Sequence, residues 1–311
     1  MRKKQAKALG FLNGIIASVS YGTNPLFAIP LYHGGVGVDS VLFYRYFFAT
    51  IIYFIWIKFF KKQSLKINLK EGISLFFLGI IFALSSLTLF MAFKFISSGL
   101  ACTILFIYPV IVAILSSFLG EKITKTTIFS IFLALFGIIL LYSGDETLRL
   151  NLNGIWFVLL SALCYALYIV GVRNIPYVKG IKPYKLSFYV MAFGVFLFVF
   201  SSNFCRNLDV ITEPKLWAFV FMIAIIPTII SIETITISIK IIGSTLSAVL
   251  GALEPVTALC FGVLFFGETL TIKTLIGIFL VLFGVTLVVL RDNIKSFSKE
   301  FFEKIKLHKN S

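Results

Sequence analysis

Histidine and cysteine are nearly missing from this chain. Its 311 residues include two histidines, His33 and His308, at opposite ends, and four cysteines. Cys102, Cys164 and Cys260 fall in apolar runs, Cys205 has no obvious partner, and no Cys-x-x-Cys occurs. Neither a disulfide framework nor a zinc site is implied, and no metal or cofactor is expected. The apolar runs hold no Ser/His, His/His or Cys/His set. A membrane-embedded enzyme would need such a cluster, so no catalytic residue is expected. No charged ring or filter loop marks a channel. The loops are too short for the folded outer domain of a receptor or scaffold.

Acidic residues are scarce too: 13 Asp and Glu against 28 Lys and Arg, a net charge of +15. That balance would suit nucleic acid, but the placement of the charge points elsewhere. The composition is 59% hydrophobic and 16% aromatic, with a mean hydropathy of +1.02. Such values place most of the chain in lipid. Apolar runs near 9–30, 39–57, 72–93, 99–119, 126–143, 154–172, 185–204, 216–239, 244–266 and 273–290 give ten expected spans. The basic start, Arg2-Lys3-Lys4 with Lys7, lacks a small-x-small cleavage site downstream, so it reads as the flank of an uncleaved first span.

Lysine and arginine set the expected orientation. One side receives the N-terminus, Lys58, Lys61, Lys62, Lys66 and Lys70, then Lys122 and Lys125, Arg173 to Lys185, Lys240 and the C-terminal tail. The other side holds Lys94, Arg149, Arg206, Lys215 and Lys273, beside Asp39, Asp145, Glu146, Asp209 and Glu213. The positive-inside rule puts both termini in the cytoplasm, as an even span count also requires. The basic charge is thus a topology signal, and no nucleic-acid partner is expected.

The chain also repeats itself. Glu121 answers Glu268, Phe136 answers Phe283, Gly137 answers Gly284 and Asp145 answers Asp292, while Pro109 answers Pro255 at nearly the same spacing. Fainter echoes join Ser18–Tyr21 to Ala162–Tyr165 and Phe43-Tyr44 to Phe188-Tyr189. Five spans in each copy would invert one against the other, the mark of an alternating-access transporter. The expected fold is an all-α integral membrane protein of ten transmembrane helices in two inverted five-helix repeats, 1–150 and 151–292, forming one intertwined transport domain. Residues 293–311 follow as a cytoplasmic amphipathic tail, with Ile294, Phe297, Phe301 and Ile305 at helical spacing.

Leu253-Glu254-Pro255-Val256, then Phe266-Gly267-Glu268-Thr269-Leu270, then Leu282-Phe283-Gly284-Val285 is a pattern that resembles the EamA family of the drug/metabolite transporter superfamily. The first half has the same outline in Tyr108-Pro109, Gly120-Glu121-Lys122 and Leu135-Phe136-Gly137, with Tyr21-Gly22 and Tyr44-Arg45-Tyr46 ahead of them. The resemblance implies ten helices in two inverted repeats, an internal cavity and no ATPase domain. It also implies cargo such as amino acids, amines, sugars or cofactor precursors, often moved outward. One departure stands out: Tyr108 occupies the place that Glu254 holds in the second copy.

Arg45, Glu233 and Glu254 are the ionisable residues deep in the spans. Each costs at least about 2.5–3.5 kcal/mol at mid-bilayer unless it has a partner or a wet cavity. At about 1.5 Å of rise per residue, Glu254 falls at mid-span, Arg45 roughly 5 Å outward and Glu233 roughly 7 Å inward. Pro255 removes a backbone N–H beside Glu254, and such breaks are tolerated where they line a cavity. Glu254 could bind a cation or exchange protons, with protons as the coupling ion, or it could simply neutralise Arg45. Tyr21 and Asn24, one turn apart beside Gly22 and Pro25, are matched by Tyr165 and Tyr168 in span six; both pairs could line a cavity or merely pack. Tyr21, Asn24, Arg45, Tyr108, Tyr165, Tyr168, Glu233, Glu254 and Pro255 are therefore the candidate substrate-binding residues. Ser85, Ser86, Thr88, Thr228, Ser231, Thr234 and Thr236 could line a polar path or bond their own backbone. Glu121 and Glu268 read as fold determinants at helix N-termini. Gly137, Gly277 and Gly284 suit close packing in spans five and ten, at the periphery, where a homodimer contact could form.

The expected function is secondary transport of a small polar or amphipathic metabolite, an amino acid, amine or relative, as an exporter in a bacterial cytoplasmic membrane. The alternative is a nucleotide-sugar or lipid-precursor carrier.

Overall fold

The computed structural model describes residues 2–92, 95–96, 101, 104–142, 151–266 and 271–288. Among these residues the secondary structure is helical and no strand occurs. Six helical stretches are long and apolar enough to cross a bilayer: Val38–Phe60, Leu69–Ala92, Leu152–Asn174, Pro183–Ser201, Pro214–Ile242 and Ser244–Phe265. Three shorter apolar helices accompany them, Tyr108–Phe118, Lys125–Leu140 and Ile272–Val288. Asp145, Glu268, Asp292 and the tail lie outside the described residues.

The helices are α1 (Arg2–Gly22), α2 (Asn24–His33), α3 (Val38–Ile55), α4 (Leu69–Ala92), α5 (Tyr108–Phe118), α6 (Lys125–Tyr142) and α7 (Leu152–Asn174). After them come α8 (Pro183–Ser201), α9 (Pro214–Ala224), α10 (Ser231–Ile242), α11 (Ser244–Leu250) and α12 (Leu253–Phe266), then α13 (Ile272–Val288). Several of these are halves of interrupted rods. α1 passes into α2 at Thr23, whose hydroxyl donates to the Ser20 carbonyl at 2.6 Å, with Pro25 starting the next turn. α11 and α12 are separated by the turn at Gly251 and Ala252, ahead of Pro255. α9 and α10 are joined by a π-type segment, Ile225–Ile230, around Pro227. The proline has no N–H for the Ile223 carbonyl one turn back. The Thr228 hydroxyl donates to that carbonyl instead, at 2.7 Å. The break is therefore satisfied locally and leaves other groups free to face inward.

The first helix of each half packs on the other half. α1 lies along α10 and α12, while α7 lies along α4 and α5. α8 crosses both α3 and α4. α6 and α13 meet through glycine. A Cβ at Gly137 would stand 2.8 Å from the Gly277 carbonyl, and one at Gly284 would stand 3.1 Å from the Ser130 carbonyl. Ser130 precedes Gly137 by seven residues, as Gly277 precedes Gly284 (137 − 130 = 284 − 277). One contact is thus made twice. The small residues expected to favour close packing are used within the chain, while Phe132, Phe136, Phe279 and Phe283 point outward.

Loop contacts sort the connections to two ends of the bundle. At one end Lys182 and Tyr184 bond Gln63, Tyr189 bonds the Leu65 carbonyl, Arg173 bonds the Lys240 carbonyl, and Glu121 meets Gly243. Gly10 packs on Ile241 and Ile242 there, which brings the N-terminal helix to the same end. At the other end Asp209 accepts from the Gly37 amide and the Ser40 hydroxyl at 2.7 and 2.8 Å, and Ser201 donates to Asp39. Lysine and arginine crowd the first end, and aspartates stitch the second. A small apolar cluster with Phe27, Leu31, Val41, Ile211 and Leu216 seals the acidic end.

Candidate functional site

Arg45 sits on α3 with no exposed surface. Its Nε donates to Thr228 Oγ1 at 2.6 Å and its Nη2 donates to the Pro227 carbonyl at 3.1 Å. Both acceptors come from the π-type segment, so the backbone break in the eighth apolar run supplies the seat for the buried cation. The guanidinium carbon lies 5.5 Å from the Tyr21 ring centroid and 5.9 Å from that of Tyr46, within cation–π range. Nη1 is buried and has no hydrogen-bond partner among the described residues.

Glu254 stands in the first turn of α12, where the positive end of the helix favours a carboxylate. It lies within electrostatic reach of Arg45, Tyr108 and Tyr165. It makes no direct ion pair with Arg45, two of whose nitrogens are engaged by Thr228 and Pro227, but the two charges act on each other across the centre. Tyr108 is buried, and its hydroxyl donates to the Ala248 carbonyl at 3.2 Å. Its ring meets Tyr165 edge-on at 4.8 Å. Tyr165 stacks parallel to Tyr168 at 6.5 Å, and Tyr168, fully buried, packs on Phe82 at 4.7 Å.

Tyr21, Asn24, Tyr165 and Glu254 keep partial exposure. Glu254 and Tyr165 do so beside Tyr108, and Tyr21 and Glu254 beside Arg45, both of which are buried. Partial exposure next to fully buried neighbours is the pattern of an inner surface. Asn24 Oδ1 and the Tyr32 hydroxyl are buried without partners among the described residues, and Tyr32 is also within electrostatic reach of Arg45. An unsatisfied buried polar group costs about 1–3 kcal/mol. A guanidinium arm and a phenol left idle in this centre are groups a polar ligand could satisfy.

The structure thus gathers Tyr21, Arg45, Tyr108, Tyr165 and Glu254, with Pro255 shaping the break and Tyr168 behind the aromatic wall. Glu233 lies apart, on α10 toward the basic end, 3.8 Å from Lys61. Pro227, Thr228 and Tyr32 belong to the centre although only Thr228 stood out, as one of several hydroxyls. A proline inside an otherwise continuous apolar run was the available signal for Pro227. Thr88 and Thr234 bond their own helices. Ser85 bonds Ser161, and Ser231 donates to the Ala17 carbonyl, so these hydroxyls tie helices together. Glu121 also differs from expectation: it reaches the N-terminus of α11, where Thr245 N donates to it at 3.4 Å, rather than that of its own following helix. No cluster of metal-ligating side chains occurs among the described residues.

The profile of the EamA-like transporter family matches residues 8–143 and 152–290. The chain belongs to the EamA-like transporter family. It is an integral membrane protein and a transporter by family. An uncharacterized transporter, YcbK, of Bacillus subtilis strain 168 is 26% identical over 302 residues, 91% of this chain and 94% of its own length. An uncharacterized transporter of Archaeoglobus fulgidus is 27% identical over 187 residues, 60% of this chain and 65% of that relative. A solved crystal structure aligns with a TM-score of 0.76 over 90% of this chain and 96% of its own, at 17% identity, a likeness of fold alone.

Proposed function

We propose that this EamA-family chain is an exporter of a small zwitterionic or amine metabolite. It would work by rocking two inverted five-span halves about the centre that holds Arg45 and Glu254. The observation that carries this reading is a buried cation, Arg45, and a carboxylate, Glu254, that act on each other electrostatically without forming a direct ion pair. Arg45 Nη1 offers a donor to a cargo carboxylate. Glu254 offers an acceptor to a cargo ammonium, and Tyr21, Tyr108 and Tyr165 supply the walls. A zwitterion would satisfy both charges, which a neutral sugar would not.

The inverted repeat gains support from the reciprocal contacts. α1 on α10 answers α7 on α4, and the Gly137 contact answers the Gly284 contact. The two stretches matched by the family profile divide where the repeat divides. The crowding of basic residues at the end that includes the N-terminal helix favours cytoplasmic termini, and a bacterial cytoplasmic membrane is the setting proposed. Glu254 is the group through which protons would be exchanged against cargo.

The test is flux from vesicles containing the purified full chain and loaded with mixed amino acids, amines and sugars, with and without a pH gradient. Gradient-stimulated loss of a zwitterion or amine supports the proposal. Release of sugars only, or of nothing above empty vesicles, contradicts it.

A further inference from the structure

A second cluster takes no part in the central site. At the basic end, Trp56 at the π-type turn after α3, Tyr184 in the first turn of α8 and Glu233 on α10 surround the ammonium of Lys61. Lys61 Nζ lies 4.0 Å from the Trp56 ring centroid, 5.4 Å from that of Tyr184 and 3.8 Å from Glu233 Oε1. Behind them Tyr53 stacks on Trp56 at 5.3 Å. Tyr53 is only 1% exposed, and its hydroxyl stands beside the Glu233 carboxylate. The Gln63 amide oxygen accepts from the Tyr184 hydroxyl at 3.1 Å and from Lys182 at 3.2 Å, which fixes the rim.

Two aromatic faces and a carboxylate, with a phenol beside it, are the chemistry that suits an organic cation. The occupant here is the chain's own lysine, and it is loosely held. The Lys61 side chain is 40% exposed and makes one long ion contact. A lysine with a structural task looks different here. Lys240, at the same end, donates to the carbonyls of Val178, Lys179 and Ile181 at 3.0, 3.2 and 2.5 Å. Among the described residues Lys61 makes no comparable set of bonds, and its flexible stem lets the ammonium swing out to water. A neutral or anionic cargo would gain nothing from these groups.

We infer that the Trp56–Tyr184–Glu233 box is an entry site for cargo bearing an ammonium group, with Lys61 as a tethered surrogate that the cargo displaces. The inference rests on the transporter reading and narrows its cargo to compounds with a free amine. The box draws on the π-type turn after α3 from the first half and on α8 and α10 from the second, so its occupancy couples to their relative position.

The test uses the full chain in detergent with Trp156→Phe and Trp217→Phe, so that Trp56 alone reports by fluorescence. It is titrated with n-butylammonium and, separately, with n-butanol at matched ionic strength. The expected result is a saturable change with butylammonium, none with butanol, and loss of saturation in Glu233→Gln. Removing a surrogate that holds the site about nine-tenths of the time would lower half-saturation about tenfold in Lys61→Ala and Lys61→Met. An unchanged half-saturation in both lysine variants, or equal responses to the two probes, overturns the inference. Vesicle flux separates the two ideas. Saturable binding without flux of any solute sinks the transporter reading and keeps the box. Flux without a Trp56 response sinks the box alone.

Discussion

The Tyr108 hydroxyl fills the space that a side chain at Gly251 would need: a Cβ built there would stand 1.6 Å from it. The turn between α11 and α12 is thereby shaped by a residue from the other half of the chain. Gly251→Ala must push Tyr108 away from the Ala248 carbonyl, and overpacking of this kind costs about 1–3 kcal/mol. On a Tyr108→Phe background, which lacks the colliding oxygen, the same change should cost clearly less. Melting temperatures of the four proteins in this cycle check it, and additive effects would count against the contact.

Arg45→Ala should destabilise the chain more than Glu254→Gln. Arg45 holds Thr228 and Pro227 at the π-type break, and its loss leaves acceptors and a nearby carboxylate uncompensated, at a cost of about 3 kcal/mol or more. Glu254→Gln keeps shape and volume. Equal melting points for the two purified variants would contradict the assignment of Arg45 to the seat of the break.

Gly137→Leu and Gly284→Leu should reduce stability by similar amounts, because they block the same contact at its two occurrences. Phe132→Ala, on the outward face of α6, serves as the mild control. A large effect at one glycine and none at the other, read from thermal unfolding, would deny the reciprocity.

Glu121→Ala should remove the carboxylate at the start of α11, a capping loss of about 0.5–2 kcal/mol. Gly243→Ala should cost more than that. Gly243 has a φ of +97°, and its Cβ would meet Glu121 Oε1 at 2.6 Å. Chemical denaturation midpoints give the order, and the reverse order would argue that Glu121 does not cap α11.

Much of this could be read from the residues alone. Arg45 and Glu254 announce themselves because a charge in an apolar run needs a reason, and Tyr21, Tyr108 and Tyr165 follow from their places in the repeat. Glu233 announced itself equally, yet belongs elsewhere, because depth along a span does not reveal which neighbour meets it. The seat of Arg45 was hidden for another reason. It is the carbonyl of Pro227 itself and a hydroxyl already engaged with Ile223, and backbone groups carry no letter in a sequence. Gly251 and the reach of Glu121 to α11 were equally silent, since both depend on contacts between halves separated by well over a hundred residues.

Access to the centre from both faces is the claim on which the rest depends. Tyr165→Cys, in a chain with its four native cysteines replaced by serine, can be treated in sealed vesicles with a membrane-impermeant maleimide added to one face at a time. Labelling from either face, slowed on both by a transported amine, is the expected result. Labelling from neither face, or from one face only under all conditions, would contradict a shared central site with alternating access.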